Sequence, residues 1–263
     1  MASNVCRLEC SSRWRAGAVC SRDASLGERQ LTDNRNETTL YSNAFFDRQS
    51  AGSLATARVI LKELTKVARI RSVVDVGCGV GPWLRAALEL GVDRVTGLDG
   101  DHVDPGRLLV ERPLFVPCDL EKDKLDQIVG GMRFDLAMSL EVAEHLSADR
   151  AHSFVAEFCR LSDLFLFSAA IPGQGGTNHV NEQWPDYWAS RFEEHGCACF
   201  DVMRPRVWHR DECEWWYLQN VLLFARRGTV AFQVASRLGA PVVEHPMRLV
   251  HPRMLQHFGW RLG

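Results

Sequence analysis

Residues 72–101 read S-V-V-D-V-G-C-G-V-G-P-W-L-R-A-A-L-E-L-G-V-D-R-V-T-G-L-D-G-D, and the reading of this stretch decides the fold. Ser72–Val76 is short, apolar and β-branched, as a strand buried on both faces should be. Gly77, Gly79 and Gly81 follow on alternate positions, where the missing side chains permit a sharp turn and close approach of a ligand. Trp83–Leu90 has helical spacing, with Leu84, Ala87 and Leu88 on one face and Gly91 as its stop. Arg94–Leu98 predicts a second strand with Asp99 at its carboxyl end. Strand, glycine turn, helix and strand make the first half of a nucleotide-binding βαβ unit. An acidic residue about 20 positions past the first glycine suits hydrogen bonding to ribose hydroxyls.

A dinucleotide site needs G-x-G-x-x-G, and counting from Gly77 and Gly79 the third glycine position is Pro82. Asp75, two residues before the first glycine, would repel a pyrophosphate. The same carboxylate pairs well with the cationic amino-acid end of S-adenosylmethionine.

With these features the chain resembles the class I S-adenosylmethionine-dependent methyltransferases. D-V-G-C-G-V-G (75–81) is similar to their first motif and G-L-D-G-D (97–101) to their second. V-P-C-D-L-E (116–121) resembles the acidic loop that contacts adenine, and F-D-L-A-M-S-L-E-V-A-E-H-L (134–146) resembles their fourth-strand motif. The resemblance covers about Tyr41 to Arg227. It extends to a bacterial group carrying I-P-G-Q-G-G-T-N-H-V-N-E-Q-W-P-D-Y-W (171–188) after the fifth strand, associated with surface glycans or other small metabolites. It implies a Rossmann-like α/β fold: a seven-stranded, mostly parallel sheet with helices on both faces and an antiparallel edge strand. It also implies cofactor contacts from Asp75, Gly77, Cys78, Gly79, Asp99, Gly100, Asp119, Leu120 and Leu140. For Asp119 the alternative is a helix N-cap.

The remaining strands are expected at 114–117, 134–139, 164–168, 197–203 and 219–225, alternating with helices near 125–129 and 151–161. Such alternation builds a parallel sheet, and ligands bind beyond the carboxyl ends of its strands. There, Glu141, Glu144 and His145 stand at i, i+3 and i+4, one face of a helical turn. Three readings compete. Glu141 lines the substrate pocket while Glu144 and His145 fix the turn; or His145 is a general base; or the cluster binds a divalent cation. Similar E-x-x-E-H clusters occur in metal-assisted ubiquinone-pathway and small-RNA 2′-O-methyltransferases, and His179 would be the further ligand. The first reading is favoured over the metal. In the loop after the fifth strand, His179 is the other candidate base, with Asn181, Glu182, Gln183 and Trp184 beside it. Glu182 or Gln183 as a helix cap, and Trp184 and Trp188 as core, are the plainer alternatives.

A net charge of −2 gives no basic excess for nucleic acid as the main partner. No apolar run approaches the about 18 residues of a membrane span, and the N-terminus has no continuous hydrophobic core of signal-peptide type. The nine cysteines are odd in number and irregular in spacing, with Cys78 and Cys118 inside the expected ligand loops. They read as reduced thiols of a cytoplasmic protein. Residues 1–40 are expected to form a flexible extension, 41–227 the methyltransferase domain and 228–263 a basic tail. A helix near 52–67 leads the domain; the resemblance implies that Phe45, Phe46 and Gln49 line a lid over the cofactor, and packing of Phe45 and Phe46 against the sheet edge is the alternative. The expected reaction is O-methylation of a sugar, glycan or other small polar metabolite. RNA or protein methylation and non-catalytic cofactor binding are the alternatives.

Overall fold

The computed structural model describes residues 35–259, with side chains from residue 50 onward. Residues 1–34 of the expected extension and the side chains of Phe45, Phe46 and Gln49 therefore lie outside the described residues. Backbone contacts divide the chain into Met1–Tyr41 and Ser42–Gly263. The second unit carries the site.

Helix α1 spans Arg35–Thr65, starting well before the expected residue 52. Then follow β1 (Ser72–Val76), α2 (Pro82–Glu89), β2 (Arg94–Asp99), β3 (Phe115–Pro117), α3 (Leu125–Ile128), β4 (Leu136–Leu140), α4 (Ala148–Leu161) and β5 (Leu164–Ser168). The remainder comprises α5 (Pro185–Glu194), β6 (Cys197–Phe200), α6 (Met203–Val207), α7 (Trp215–Asn220), β7 (Leu222–Arg226), α8 (Val230–Ser236) and α9 (Pro252–His257). The seven strands form one sheet in the order β3-β2-β1-β4-β5-β7-β6. β1 to β5 pair in parallel, and β7 runs antiparallel to both β5 and β6 at the far side. The carboxyl ends of the first five strands therefore share one edge.

Two expected elements differ. The sixth strand stops at Phe200, because Met203 already opens α6. Gln219 and Asn220 end α7 rather than begin the last strand. No helix among the described residues is long and apolar enough to cross a membrane.

Strand periodicity sorts the core into two layers. Val73, Leu164, Leu166, Ala198, Phe200, Leu223 and Ala225 face one cluster with α1, α2 and α6. Val74, Val76, Phe165, Phe167, Cys197, Cys199, Leu222 and Phe224 face the other, with α4 and α5. Alternate residues of each strand thus bury on opposite faces. All six described cysteines are buried free thiols. The second layer is aromatic: Phe192 stacks on Phe224 at 4.0 Å between centroids and meets Phe165 and Phe167 edgewise or tilted. Trp188, 2% exposed, belongs to this core. Phe192→Ala is expected to cost about 3–5 kcal/mol in chemical denaturation. A loss under about 1 kcal/mol would contradict this packing.

Two buried arginines hold the loops that frame the site. Arg150 bonds Glu157 through two nitrogens at 2.8 and 2.9 Å and donates to the carbonyls of Leu120 and Asp123. This fixes the segment after β3. Arg204, fully buried, pairs with Asp201 and donates to the carbonyls of Gln219 and Met247. The described part of the expected tail is thereby drawn onto the domain.

Candidate active site

The glycine turn begins where β1 ends. Gly77 and Cys78 donate their N–H groups to the Leu98 carbonyl at 2.7 and 3.1 Å, joining the turn to β2. Gly77 has φ +80°, and a Cβ there would stand 2.3 Å from the Val142 side chain. Glycine at this position lets the turn after β4 pack directly on the cofactor loop. Asp99 closes the same loop from β2: its carboxylate accepts from Gly79 N at 2.6 Å and Gly100 N at 2.7 Å. A carboxylate has further lone pairs, so ribose hydroxyls can still be accommodated.

Asp75 is 2% exposed, and its Oδ2 has no hydrogen-bond partner among the described residues. Burial, and secondarily the charge of Asp99, push its pKa up to about 8. An orphaned buried carboxylate is costly, and it fits a ligand that brings a cation. Cys78 is a buried thiol that burial pushes up. It packs as an uncharged side chain with Sγ 3.5 Å from the Gly79 carbonyl.

Asp119 is exposed and caps its own turn, accepting from Glu121 N at 3.0 Å and Lys122 Nζ at 2.7 Å. Lys122 holds its carboxyl below the usual range. Leu120 is half-buried against the second core layer, and Leu140 is buried at the end of β4.

Glu141, Glu144 and His145 do not share the single helical face expected of them, because Glu141 lies outside the short helical turn. Glu141 takes a left-handed φ of 58°, ending β4 abruptly, and residues 143–145 form one turn of 3-10 helix. The Glu141 carboxylate accepts from Gln174 Nε2 at 2.7 Å and Asn220 Nδ2 at 3.0 Å. Its backbone N–H meets Ser168. Gln174, Gln219 and Asn220 interlock further, with Asn220 Nδ2 2.8 Å and Gln219 Nε2 3.1 Å from Gln174 Oε1. Burial raises the pKa of Glu141 despite these donors. Gln174 was not legible as a site residue; a polar residue between glycines was its only signal.

Glu144 is fully buried, and neither carboxylate oxygen has a hydrogen-bond partner among the described residues. Burial, reinforced by Glu141, holds its pKa well above the usual carboxylate range. Its carbonyl accepts from Val180 N at 2.9 Å and Asn181 N at 3.0 Å, which clasps the loop after β5 over the turn after β4. This brings His179 to His145, with perpendicular rings 4.8 Å apart. Desolvation, then His179, holds His145 below the usual imidazole range. Ligand atoms from Glu144, His145 and His179 all lie within 4.8 Å of one another. His179 Nδ1 is 2.9 Å from Glu182 Oε1.

A parallel sheet whose strand ends gather a glycine turn, an orphaned acid and an acidic second-strand terminus defines a methyltransferase that binds S-adenosylmethionine. The chain belongs to the methyltransferase domain family, whose model matches residues 46–204. A curated relative, the ubiquinone biosynthesis O-methyltransferase of Methylobacterium sp. (strain 4-46), is 39% identical over 106 residues. That match covers 38% of this chain and 41% of the relative's length. Among solved structures, an O-methyltransferase family protein from Burkholderia thailandensis superposes with a TM-score of 0.54 at 17% identity, covering 74% of this chain and 62% of the other. Magnesium protoporphyrin IX methyltransferase from Synechocystis PCC 6803, with bound cofactor, gives 0.45 at 16% identity, over 76% and 86% of the two chains.

Proposed function

We propose that this methyltransferase acts on a hydroxyl of a small polar acceptor, a sugar or glycan unit or a related metabolite, and belongs to the bacterial group with the H-V-N-E-Q-W-P-D-Y-W motif. The observation that carries the reading is the meeting of His179 and His145 on a turn packed against the cofactor loop. The printed name of the curated relative, an O-methyltransferase, agrees with it. Asp75 takes the ligand's ammonium group, Asp99 its ribose and Asp119 with Leu120 its adenine. Gly77, Cys78, Gly79, Gly100 and Leu140 line the same path.

Bound S-adenosylmethionine supplies an electrophilic methyl group. The protein has to align the acceptor oxygen with it and remove a proton. His179 would take the proton that the acceptor hydroxyl loses on methyl transfer from the bound cofactor. Glu141, fixed by Gln174 and Asn220, lines the acceptor side.

Incubating the protein with cofactor labelled in the methyl group and a bacterial metabolite extract is expected to label a small polar product. His179→Ala should lower that transfer by about 10²–10⁴-fold while retaining affinity for S-adenosylhomocysteine. Full activity in the variant removes His179 as the base. Label entering RNA or protein instead favours those acceptors.

One observation favours a second reading, in which the site also holds a divalent cation: the Glu144 carboxylate, partnerless among the described residues, lies within 4.8 Å of ligand atoms of His145 and His179. A cation held by Glu144, His145 and His179 would satisfy it. One carboxylate with two imidazoles suits Mn²⁺, Fe²⁺ or Zn²⁺ better than Mg²⁺. Such an ion supplies Lewis acidity at a hydroxyl. Calorimetric titration with MnCl₂ should show one site in the wild type and none in Glu144→Gln. Absence of binding to the wild type discards this reading.

A further inference from the structure

In the loop between β5 and α5 the Gln174 side chain is anchored to Glu141 and Asn220, but the glycines around it have no side chain to hold them. Gly173, Gly175, Gly176 and Asn178 have φ values of +84°, +68°, +157° and +61°. Such a run loses much backbone entropy on ordering, so something must fix it. From this loop and its observed bonds we propose that Glu182 is the positioning residue for His179. One carboxylate sets both the fold of the glycine loop and the tautomer of the imidazole. The proposal rests on the reading in which His179 faces the acceptor.

The geometry is specific. Glu182 Oε2 accepts from Gly173 N at 2.8 Å, and Oε1 accepts from Gly175 N at 2.8 Å. The same Oε1 lies 2.9 Å from His179 Nδ1. An ionised carboxylate only accepts hydrogen bonds, so Nδ1 carries the proton, and in the neutral imidazole Nε2 is then left bare. Nε2 is thus the atom free to take a proton or a cation, and the inference holds for either reading of the site. The pair is screened from water, with side-chain exposures of 12% for His179 and 19% for Glu182. Charge-assisted bonds in such a place are stronger than neutral, exposed ones.

The carboxylate can act as an anchor because its own backbone is held on both sides. Val180 N and Asn181 N bond the Glu144 carbonyl, Gln183 N bonds the Ala170 carbonyl, and Pro185 then opens α5. Gly176 completes the fit: a Cβ there would stand 2.2 Å from His179 Nε2, in the space the ring occupies. His145, Glu144 and Glu141 are the other titratable groups around His179. None of them makes a hydrogen bond to Nδ1 within the described residues, so the tautomer depends on Glu182.

The test needs no acceptor. Long-range proton–nitrogen spectra of histidine-labelled protein, saturated with S-adenosylhomocysteine and recorded at pH 8, report the tautomer. The His179 signals are assigned by their loss in His179→Gln. Wild type is expected to show a protonated Nδ1 and a bare Nε2. Glu182→Ala should move His179 toward the Nε2–H form and speed hydrogen exchange at the Gly173 and Gly175 amides by about tenfold or more. Glu182→Gln keeps the side-chain length but one acceptor oxygen. It should expose one glycine amide, and it serves if the alanine variant does not fold. An unchanged tautomer with unchanged glycine protection in a folded variant overturns the proposal. Activity is read separately: if His179→Ala stays fully active while the spectra behave as expected, the assignment of the base fails and the positioning role stands.

Discussion

Asp99→Ala is expected to weaken S-adenosylhomocysteine binding by about a hundredfold or more. Two backbone N–H groups, on Gly79 and Gly100, depend on this one carboxylate at 2.6 and 2.7 Å. Hydrogen bonds to a charged group contribute about 1.5–3 kcal/mol each. Removing both frees the Gly79 end of the glycine turn, which Gly77 and Cys78 still join to β2 through the Leu98 carbonyl, and lost bonds to the ribose add to the effect. Asn retains one acceptor oxygen for two donors, so Asp99→Asn should fall between, near tenfold. Calorimetric titration of the three proteins provides the comparison. An alanine variant that binds within threefold of wild type would mean that the loop keeps its shape without Asp99 and that ribose recognition lies elsewhere.

The first half of the sheet was readable because local and global signals agree there. Val73, Val74 and Val76 are β-branched and bury on alternating faces, and the glycines sit where the chain must turn beneath a ligand. The last strands were less legible. The run expected as the last strand opens with Gln219 and Asn220, and periodicity alone does not say where such a run stops being helix and becomes strand. Its polar start decided the matter through tertiary bonds: Gln219 and Asn220 turn inward to Gln174 and Glu141. The same limit applies at Glu141. Helical spacing placed it with Glu144 and His145, but a left-handed residue breaks that face. His179, expected as a further member of the cluster, does join Glu144 and His145, from a loop more than 30 positions away. Glu182 stands in sequence among the candidates beside His179, with a helix cap as the alternative, and nothing local reveals that its carboxylate reaches back to Gly173, Gly175 and His179.

Binding of S-adenosylhomocysteine at pH 6.5 is expected to release close to one proton, and Asp75→Asn should abolish that release. The folded, ligand-free protein holds Asp75 with a pKa of about 8 against an ordinary value of 3.8, because burial and then Asp99 oppose its charge. At pH 6.5 the group is therefore protonated before binding. An ammonium delivered to the partnerless Oδ2 favours the carboxylate, and the proton leaves. Calorimetry in two buffers of different ionisation enthalpy measures the count directly. The release should fade above pH 9, where Asp75 is already ionised. The same shift sets a slope in stability. Between about pH 4 and pH 8 the folded chain binds a proton here that the unfolded chain does not. Stability without ligand thus falls as pH rises through that window, at up to about 1.4 kcal/mol per pH unit from this group. Asp75→Asn removes the slope, so the variant should melt above the wild type at pH 8 and bind ligand more weakly. A wild type that binds without proton release at pH 6.5 would show that the ammonium does not reach Asp75, and would leave its burial a matter of the fold alone.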